Sequence, residues 1–288
     1  MGASSFGIVF ANSGPFAQPE AAALLAEHAE RVGFESLWTV EHVVIPRDYA
    51  SVYPYNASGR APAAEVSDIP DPLIWLAYVA ARTTTIRLGT GILILPQRNP
   101  LVVAKEIATL AQLSRGRVLL GVGSGWLQEE FDALDISFDD RGARMDDHIT
   151  ALRTIWRDGR EGATHHSSFT NFDDCISLPT PPGGSVPIII GGHTTRAARR
   201  AGELGDGFFP GKGSPDELEP LVAVMRAAAE RNGRDPSAIE LTTGAGDTET
   251  MERLRALGFI RFAVPPPTYK LDKLPAALER TAMALGLG

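Results

Sequence analysis

The chain alternates eight times between a short apolar run and a longer segment with helical spacing, and few architectures can absorb that order. Glycine marks several of the joints: Gly33 precedes the run 34–40, Gly116 the run 117–122, Gly205 the run 206–209 and Gly258 the run 259–264. A glycine just past a helix takes the left-handed conformation that ends it, and a brief apolar run after it reads as a buried strand. Val118-Leu119-Leu120 and Ile188-Ile189-Ile190 lack the polar alternation of a half-exposed strand, so both of their faces are expected to be covered. Between the runs, Met145, Ile149, Leu152 and Trp156 form one helical stripe. Leu218, Leu221, Val222 and Met225 form a second, and Leu274, Leu278 and Leu285 a third. Asp71-Pro72 and Asn99-Pro100 each place a cap before a first-turn proline, and Ser214-Pro215-Asp216-Glu217 has the spacing of a capping box.

The pattern predicts strands near 6–11, 36–41, 86–95, 117–122, 187–191, 206–210, 238–244 and 260–264. Helices are expected near 18–32, 72–84, 100–115, 141–158, 194–204, 215–232, 248–257 and 271–285. Eight β–α units in strict alternation imply an α/β fold, a parallel sheet closed into a (β/α)8 TIM barrel, with an open doubly wound sheet as the alternative. The length, 288 residues, is near the ~250 typical of such a barrel, so 1–288 is read as one domain. Two segments break the rhythm. Residues 43–71, rich in Pro and Tyr, follow strand 2 on the carboxyl face and are expected to form an active-site lid. Residues 159–186 have the look of a hairpin with proline-rich ends; they precede strand 5, on the opposite face, and are expected to be structural.

Composition narrows the partners. A formal charge of −8 argues against nucleic acid or an anionic membrane surface and leaves a small-molecule substrate. No apolar stretch nears the ~18 residues of a membrane span. The opening Met1-Gly2-Ala3-Ser4-Ser5-Phe6 has no basic-then-apolar signal pattern and no Ser or Thr at the sixth position for myristoylation. The cytoplasm is therefore the expected compartment. Cys175 is the only cysteine, which excludes an intrachain disulfide, and no Cys-centred motif surrounds it. His28 and His148 fall in helices and His165-His166 in the hairpin, without metal-ligand spacing.

In a barrel, chemistry sits at the carboxyl ends of the strands. Strand 2 ends in Trp38-Thr39-Val40-Glu41-His42, where a carboxylate beside an imidazole can orient a ligand and exchange a proton, or simply fix a structural histidine. Strand 3 carries Gly89 and Gly91, read either as a close approach of backbone to ligand or as packing in a crowded barrel. Strand 4 runs into Gly121-Val122-Gly123-Ser124-Gly125-Trp126, followed by Glu129 and Glu130; its glycines can expose amides to a flat ring or a phosphate, although the spacing is not that of a dinucleotide fold. Strand 5 ends in Gly191-Gly192-His193-Thr194-Thr195 and opens a helix, an arrangement that favours an anion over the alternative of a plain tight turn. Strand 6 leads to Lys212, flanked by glycines, which either meets a second anionic group or is solvated.

Taken together these motifs resemble the luciferase-like superfamily, and within it the coenzyme F-420 (deazaflavin)-dependent oxidoreductases. The resemblance covers nearly the whole chain and is carried by Ser36–His42, Ile86–Gly91, Arg117–Trp126, Pro187–Gly192 and Ala201–Phe208 in order and spacing. It implies a flavin-like ring lying over the carboxyl end of the barrel, with Glu41 and His42 facing it and His42 as the proton-exchanging or substrate-orienting group. It further implies a strand 3 bulge at Gly91-Ile92, often a cis non-prolyl bond, supporting one face of the ring beside Thr90. Gly123, Ser124 and Gly125 would flank the ring, and Gly191 and Gly192, with His193 and Lys212 nearby, would hold the cofactor's anionic tail. A sugar-phosphate-oxidising relative has Asp where Glu41 stands and Glu where Trp126 stands, which argues against that substrate here. Trp126, Glu129 and Tyr53, with Tyr49, Tyr55, Arg47 and Arg60 of the lid, suggest a partly aromatic substrate pocket. Hydride transfer with coenzyme F-420 is the leading expectation, FMN-dependent monooxygenation the alternative, and a non-catalytic flavin-binding protein the third; relatives often form homodimers.

Overall fold

The computed structural model describes residues 4–56, 58–61 and 66–287, so residues 57 and 62–65 of the expected lid lie outside the described residues. Among the described residues nine segments are parallel strands: β1 (Ser5–Ile8), β2 (Ser36–Thr39), β3 (Arg87–Thr90), β4 (Leu93–Ile94), β5 (Val118–Gly123), β8 (Ile188–Gly191), β9 (Gly207–Phe209), β10 (Glu240–Gly244) and β11 (Phe259–Val264). β6 (Ala163–His166) and β7 (Asn171–Cys175) form a separate antiparallel hairpin. The main helices are α1 (Pro19–Arg31), α2 (Pro72–Ala80), α3 (Pro100–Leu113), α4 (Gln128–Ala133), α5 (Arg141–Asp158), α6 (Thr195–Leu204), α7 (Pro215–Arg231), α8 (Thr248–Ala256) and α9 (Leu274–Leu285).

The sheet closes. Pairing runs β1–β2–β3–β5–β8–β9–β10–β11 and returns to β1, every step parallel, which makes the eight-stranded (β/α)8 barrel rather than an open sheet. The strand expected over 86–95 is two pieces, with the cis peptide Gly91–Ile92 between them, and β4 pairs with β5. The short helix α4 was not anticipated; its six residues lack the length for a periodic stripe. The caps read from the sequence are present: Asp71 accepts from the amides of Leu73 and Ile74, Asn99 from those of Leu101 and Val102, and Ser214 forms its capping box with Glu217.

Inside the barrel, Trp38 is packed with Leu119, Ile189, Phe209 and Ala263. Glycines make room for the indole: a Cβ at Gly89 would lie 2.5 Å from its ring and one at Gly7 2.7 Å from Nε1. The indole Nε1 donates to Ser36 Oγ at 2.8 Å, so the buried polar atom is paired. Beneath it Arg261 of β11 is clamped by Glu35 and by Glu240 of β10. The larger core lies between the strands and the surrounding helices. Among the described residues no helix is long and apolar enough to cross a membrane.

The β6–β7 hairpin starts at the far end of the barrel, where Ser177 donates its amide to the carbonyl of Gly159. It then climbs the flank of α5: His165 Nε2 meets Asp147 at 2.8 Å, and Arg144 lies 4.8 Å from the centre of the Phe169 ring. Its tip thus reaches the first turns of α5, nearer the carboxyl end than the sequence suggested.

Candidate active site

The end of β2 is held by a residue from the loop after β1. Asn12, fully buried, donates to the carbonyl of Val40 at 2.9 Å and accepts from the Val40 amide at 2.8 Å, holding the backbone on both sides of that residue. The next two side chains part company. Glu41 turns away from His42: Oε1 accepts from Nε of Arg98 at 2.9 Å and from its Nη2, and Oε2 accepts from the Ile94 amide. Burial pushes its carboxyl above the ordinary carboxylate range against the pull of Arg98. Arg98 is itself bonded to Asp71, the cap of α2. Glu41 therefore ties the β4 segment and α2 to the end of β2, and it does not form the Glu–His pair that adjacency in sequence suggested.

His42 finds its carboxylate elsewhere. Its Nδ1 lies 3.0 Å from Oε2 of Glu130, a fully buried residue of α4 whose Oε1 accepts from the amides of Val43 at 2.6 Å and Val44 at 3.3 Å. The other ring nitrogen has no partner among the described residues and is not sealed from solvent. Glu129, the neighbouring carboxylate, turns to the lid: Oε1 accepts from the amides of Ala50 at 2.6 Å and Ser51 at 3.1 Å. Burial works to raise its carboxyl, but the Ser51 side chain and the amides of Glu129, Ala50 and Ser51 outweigh it and hold the group at about 2. Expected in the substrate pocket, Glu129 is instead a lid anchor.

The glycines converge as the sequence required. Ile92, after the cis peptide, is wedged between strand ends: a Cβ on Gly123 would lie 2.6 Å from it and one on Gly191 2.5 Å. Gly125 adopts φ +79°, with Phe131 and Ile94 where a side chain would go. Thr90 departs from expectation, because its hydroxyl is buried and donates to the Gly121 carbonyl at 2.6 Å, in the barrel wall rather than toward a ligand.

At the end of β8, Gly192 takes φ +118° and its amide donates to the Phe209 carbonyl. The four amides that follow, of His193, Thr194, Thr195 and Arg196, donate to no acceptor among the described residues. They open α6, whose cap is the Thr194 hydroxyl. Nδ1 of His193 is buried without a partner, and burial together with the charge of Lys212 lowers that imidazole below its ordinary range. Bare amides at a helix start, an orphaned ring nitrogen and a nearby ammonium fit the phosphate and polyanionic tail of a flavin-type cofactor.

The lid closes one side of this mouth with aromatic edges. Trp126 meets His42 edge-on at 5.8 Å, Tyr49 at 5.4 Å and Tyr53 at 5.1 Å between ring centres; Tyr53 contacts Tyr55, and Tyr55 contacts His193. Burial raises the Tyr53 phenol, and burial with the neighbouring Tyr53 pushes Tyr55 to about 12, so both stay protonated at neutral pH. Lys212 donates to the Pro54 carbonyl at 2.7 Å and sits 5.8 Å from the Tyr55 ring centre, fastening the lid to the loop after β9. Arg60 stacks 3.7 Å from the centre of Tyr49.

Of the residues singled out from sequence, His42, Gly91, Ile92, Gly123, Gly125, Gly191, Gly192, His193, Lys212, Trp126 and Tyr53 belong to this one end of the barrel. Asn12 and Arg98 carried no local signal, and Glu130 was marked only by its place after strand 4. Asn12, Arg98 and Glu130 act on residues 28, 57 and 88 positions away, and no periodicity or motif links such pairs.

A closed parallel barrel with a single glycine-lined, aromatic-lidded mouth defines a (β/α)8 protein of the kind that works at its strand tips. The chain matches the luciferase-like monooxygenase family over residues 6–247 and belongs to that family. A protein of Mycobacterium tuberculosis described only as uncharacterized is 31% identical over 247 residues, 84% of each chain. An F-420-dependent glucose-6-phosphate dehydrogenase of Kineococcus radiotolerans is 30% identical over 83% of this chain and 67% of its own. Among solved structures, an F-420-dependent secondary alcohol dehydrogenase with an F-420–acetone adduct superposes with a TM-score of 0.78 over 98% of both chains, at 18% identity.

Proposed function

We propose that this protein binds coenzyme F-420 across the carboxyl end of the barrel and exchanges a hydride there with a small organic substrate. The observation that carries the reading is the pairing, at one mouth, of an imidazole nitrogen and a run of helix-start amides that meet no partner among the described residues. The named F-420-dependent relatives point the same way. When bound, the deazaflavin supplies a two-electron hydride carrier; the chain supplies placement and a proton partner.

In this reading Gly191, Gly192 and the amides of residues 193–196 hold the cofactor phosphate, with Lys212 beside the rest of the tail. Gly91 and Ile92 back one face of the ring, and Gly123, Ser124 and Gly125 border it. His42 holds or gives up the proton at Nε2 as the substrate is oxidised or reduced. Glu41 is a positioning residue, acting through Arg98 and the β4 segment, and Thr90 is a wall residue. Trp126 and Tyr53 line the substrate side, and Trp126 stands where the sugar-phosphate-oxidising relative has Glu.

Titrating the cofactor-free protein with the deazaflavin and, separately, with FMN, followed by fluorescence, tests the assignment. Tight binding of the deazaflavin with stable hydride exchange is expected. FMN binding with oxygen consumption and substrate oxygenation would transfer the protein to the monooxygenases for which its family is named. Binding without turnover would leave a flavin-binding protein.

A further inference from the structure

Glu130 is the most completely enclosed acid near the mouth, and each of its oxygens has a defined duty. Oε1 takes two backbone N–H groups, from Val43 and Val44, at the stem of the lid. Oε2 faces Nδ1 of His42 at 3.0 Å. No other acceptor among the described residues bonds His42: Glu41 is occupied by Arg98 and Ile94, and Trp126 presents only a ring contact.

We propose that Glu130 is a positioning residue that locks the tautomer of His42, and that the same carboxylate pins the lid stem to it. This rests on the reading that His42 exchanges the proton. A carboxylate can only accept, so the neutral imidazole must carry its proton on Nδ1 to meet it. The opposite tautomer would set a ring lone pair against Oε2 of a fully buried carboxylate, where the two repel. A free histidine side chain in water favours the proton on Nε2, so the preference is one the protein imposes. Its consequence is a bare Nε2 at the mouth, ready to accept a proton from a substrate hydroxyl during oxidation or, once protonated, to return one during reduction. Because Oε1 is spent on Val43 and Val44, the ring can be held correctly only while the stem of the lid is docked.

The test is nitrogen-15 NMR of the imidazoles in the cofactor-free protein, with His42→Asn used to assign the His42 signals among the six histidines. Wild type is expected to show a protonated Nδ1 and an unprotonated Nε2. In Glu130→Gln, Oε1 still accepts from Val43 and Val44, so the amide NH2 is turned toward His42 and donates to Nδ1. The two ring signals should then exchange character, and turnover should fall about 100-fold or more with the KM for cofactor nearly unchanged, as expected for a wrong tautomer. A protonated Nε2 in neutral wild type, or signals unmoved by Glu130→Gln, would overturn the lock. If the variant does not fold, the wild-type spectrum alone decides. Failure of wild type to bind any deazaflavin would instead strike the proposed function, since the NMR pattern is read without cofactor.

Discussion

At His42, orientation comes from residues remote in the chain. Asn12 fixes the peptide just before Glu41, Glu130 fixes the ring, and Trp126 stands edge-on to it. Removing the ring should therefore affect chemistry more than binding. His42→Ala is expected to lower turnover by about 100-fold or more while the cofactor dissociation constant changes by less than about threefold. Steady-state rates beside fluorescence titration give both numbers, and equal losses would reduce His42 to a structural role. Asn12→Ala strips a partner from both the amide and the carbonyl of part-buried Val40 and another from the Pro70 carbonyl, so it should cost about 2–3 kcal/mol in denaturant unfolding and loosen the end of β2. Adjacency in sequence suggested a Glu41–His42 pair. Just past the end of β2 the two neighbouring side chains diverge, one to Arg98 and the other to Glu130.

Among the elements, the lid and α4 form the joint most open to pH. Glu129 is depressed from its ordinary 4.5 to about 2 by the hydrogen bonds of the lid backbone, against the opposing effect of burial. A depressed carboxyl stabilises the state that depresses it above the unperturbed value and ceases to do so as pH falls through the lowered one. The lid should therefore be fully anchored above about pH 4.5 and released progressively down to about pH 2. Trp126 fluorescence, which reports on Tyr49 and Tyr53 at its edge, should change across that window in wild type and lose the transition in Glu129→Gln. The strands set a different limit. A Cβ at Gly121 would lie 1.8 Å from the Thr90 carbonyl oxygen, a backbone atom that cannot swing aside. Gly121→Ala is expected to cost about 3 kcal/mol or more, measured by chemical denaturation, because the β3–β5 seam must open to admit it.

For the whole molecule, closure is the property on which the site depends, since the mouth exists only if the first and last strands meet. Arg261 of β11 bonds Glu35, at the start of β2, and Glu240 of β10, with Thr242 also in reach, bridging the closing strands. Its guanidinium is buried, so burial opposes its charge, yet the two carboxylates hold it above its ordinary range. Arg261→Met would strip Glu240 of this partner and leave Glu35 with only Arg87, at 3.6 Å, beneath Trp38. It should destabilise the barrel by about 3 kcal/mol, the lower part of the range for a broken buried pair because both glutamates are partly exposed. A fall in Tm of roughly 5–10 °C in calorimetry would follow for a chain of this size.

The sequence determined the barrel and the place of its mouth. Eight apolar runs joined by capped helical stripes favour a closed parallel sheet over an open doubly wound one, and the glycines at 91, 123, 125, 191 and 192 mark strand ends where backbone comes close. Both signals are local, written in spacing and in residue types with narrow backbone preferences. The tertiary structure decided who partners whom. It gave His42 to Glu130 rather than Glu41, turned Glu129 to the lid, sank Thr90 into the wall, and ran the hairpin up α5. Side-chain pairing depends on which groups the closed barrel brings within about 3 Å, and hydrogen bonding at that range leaves no trace in one-dimensional order.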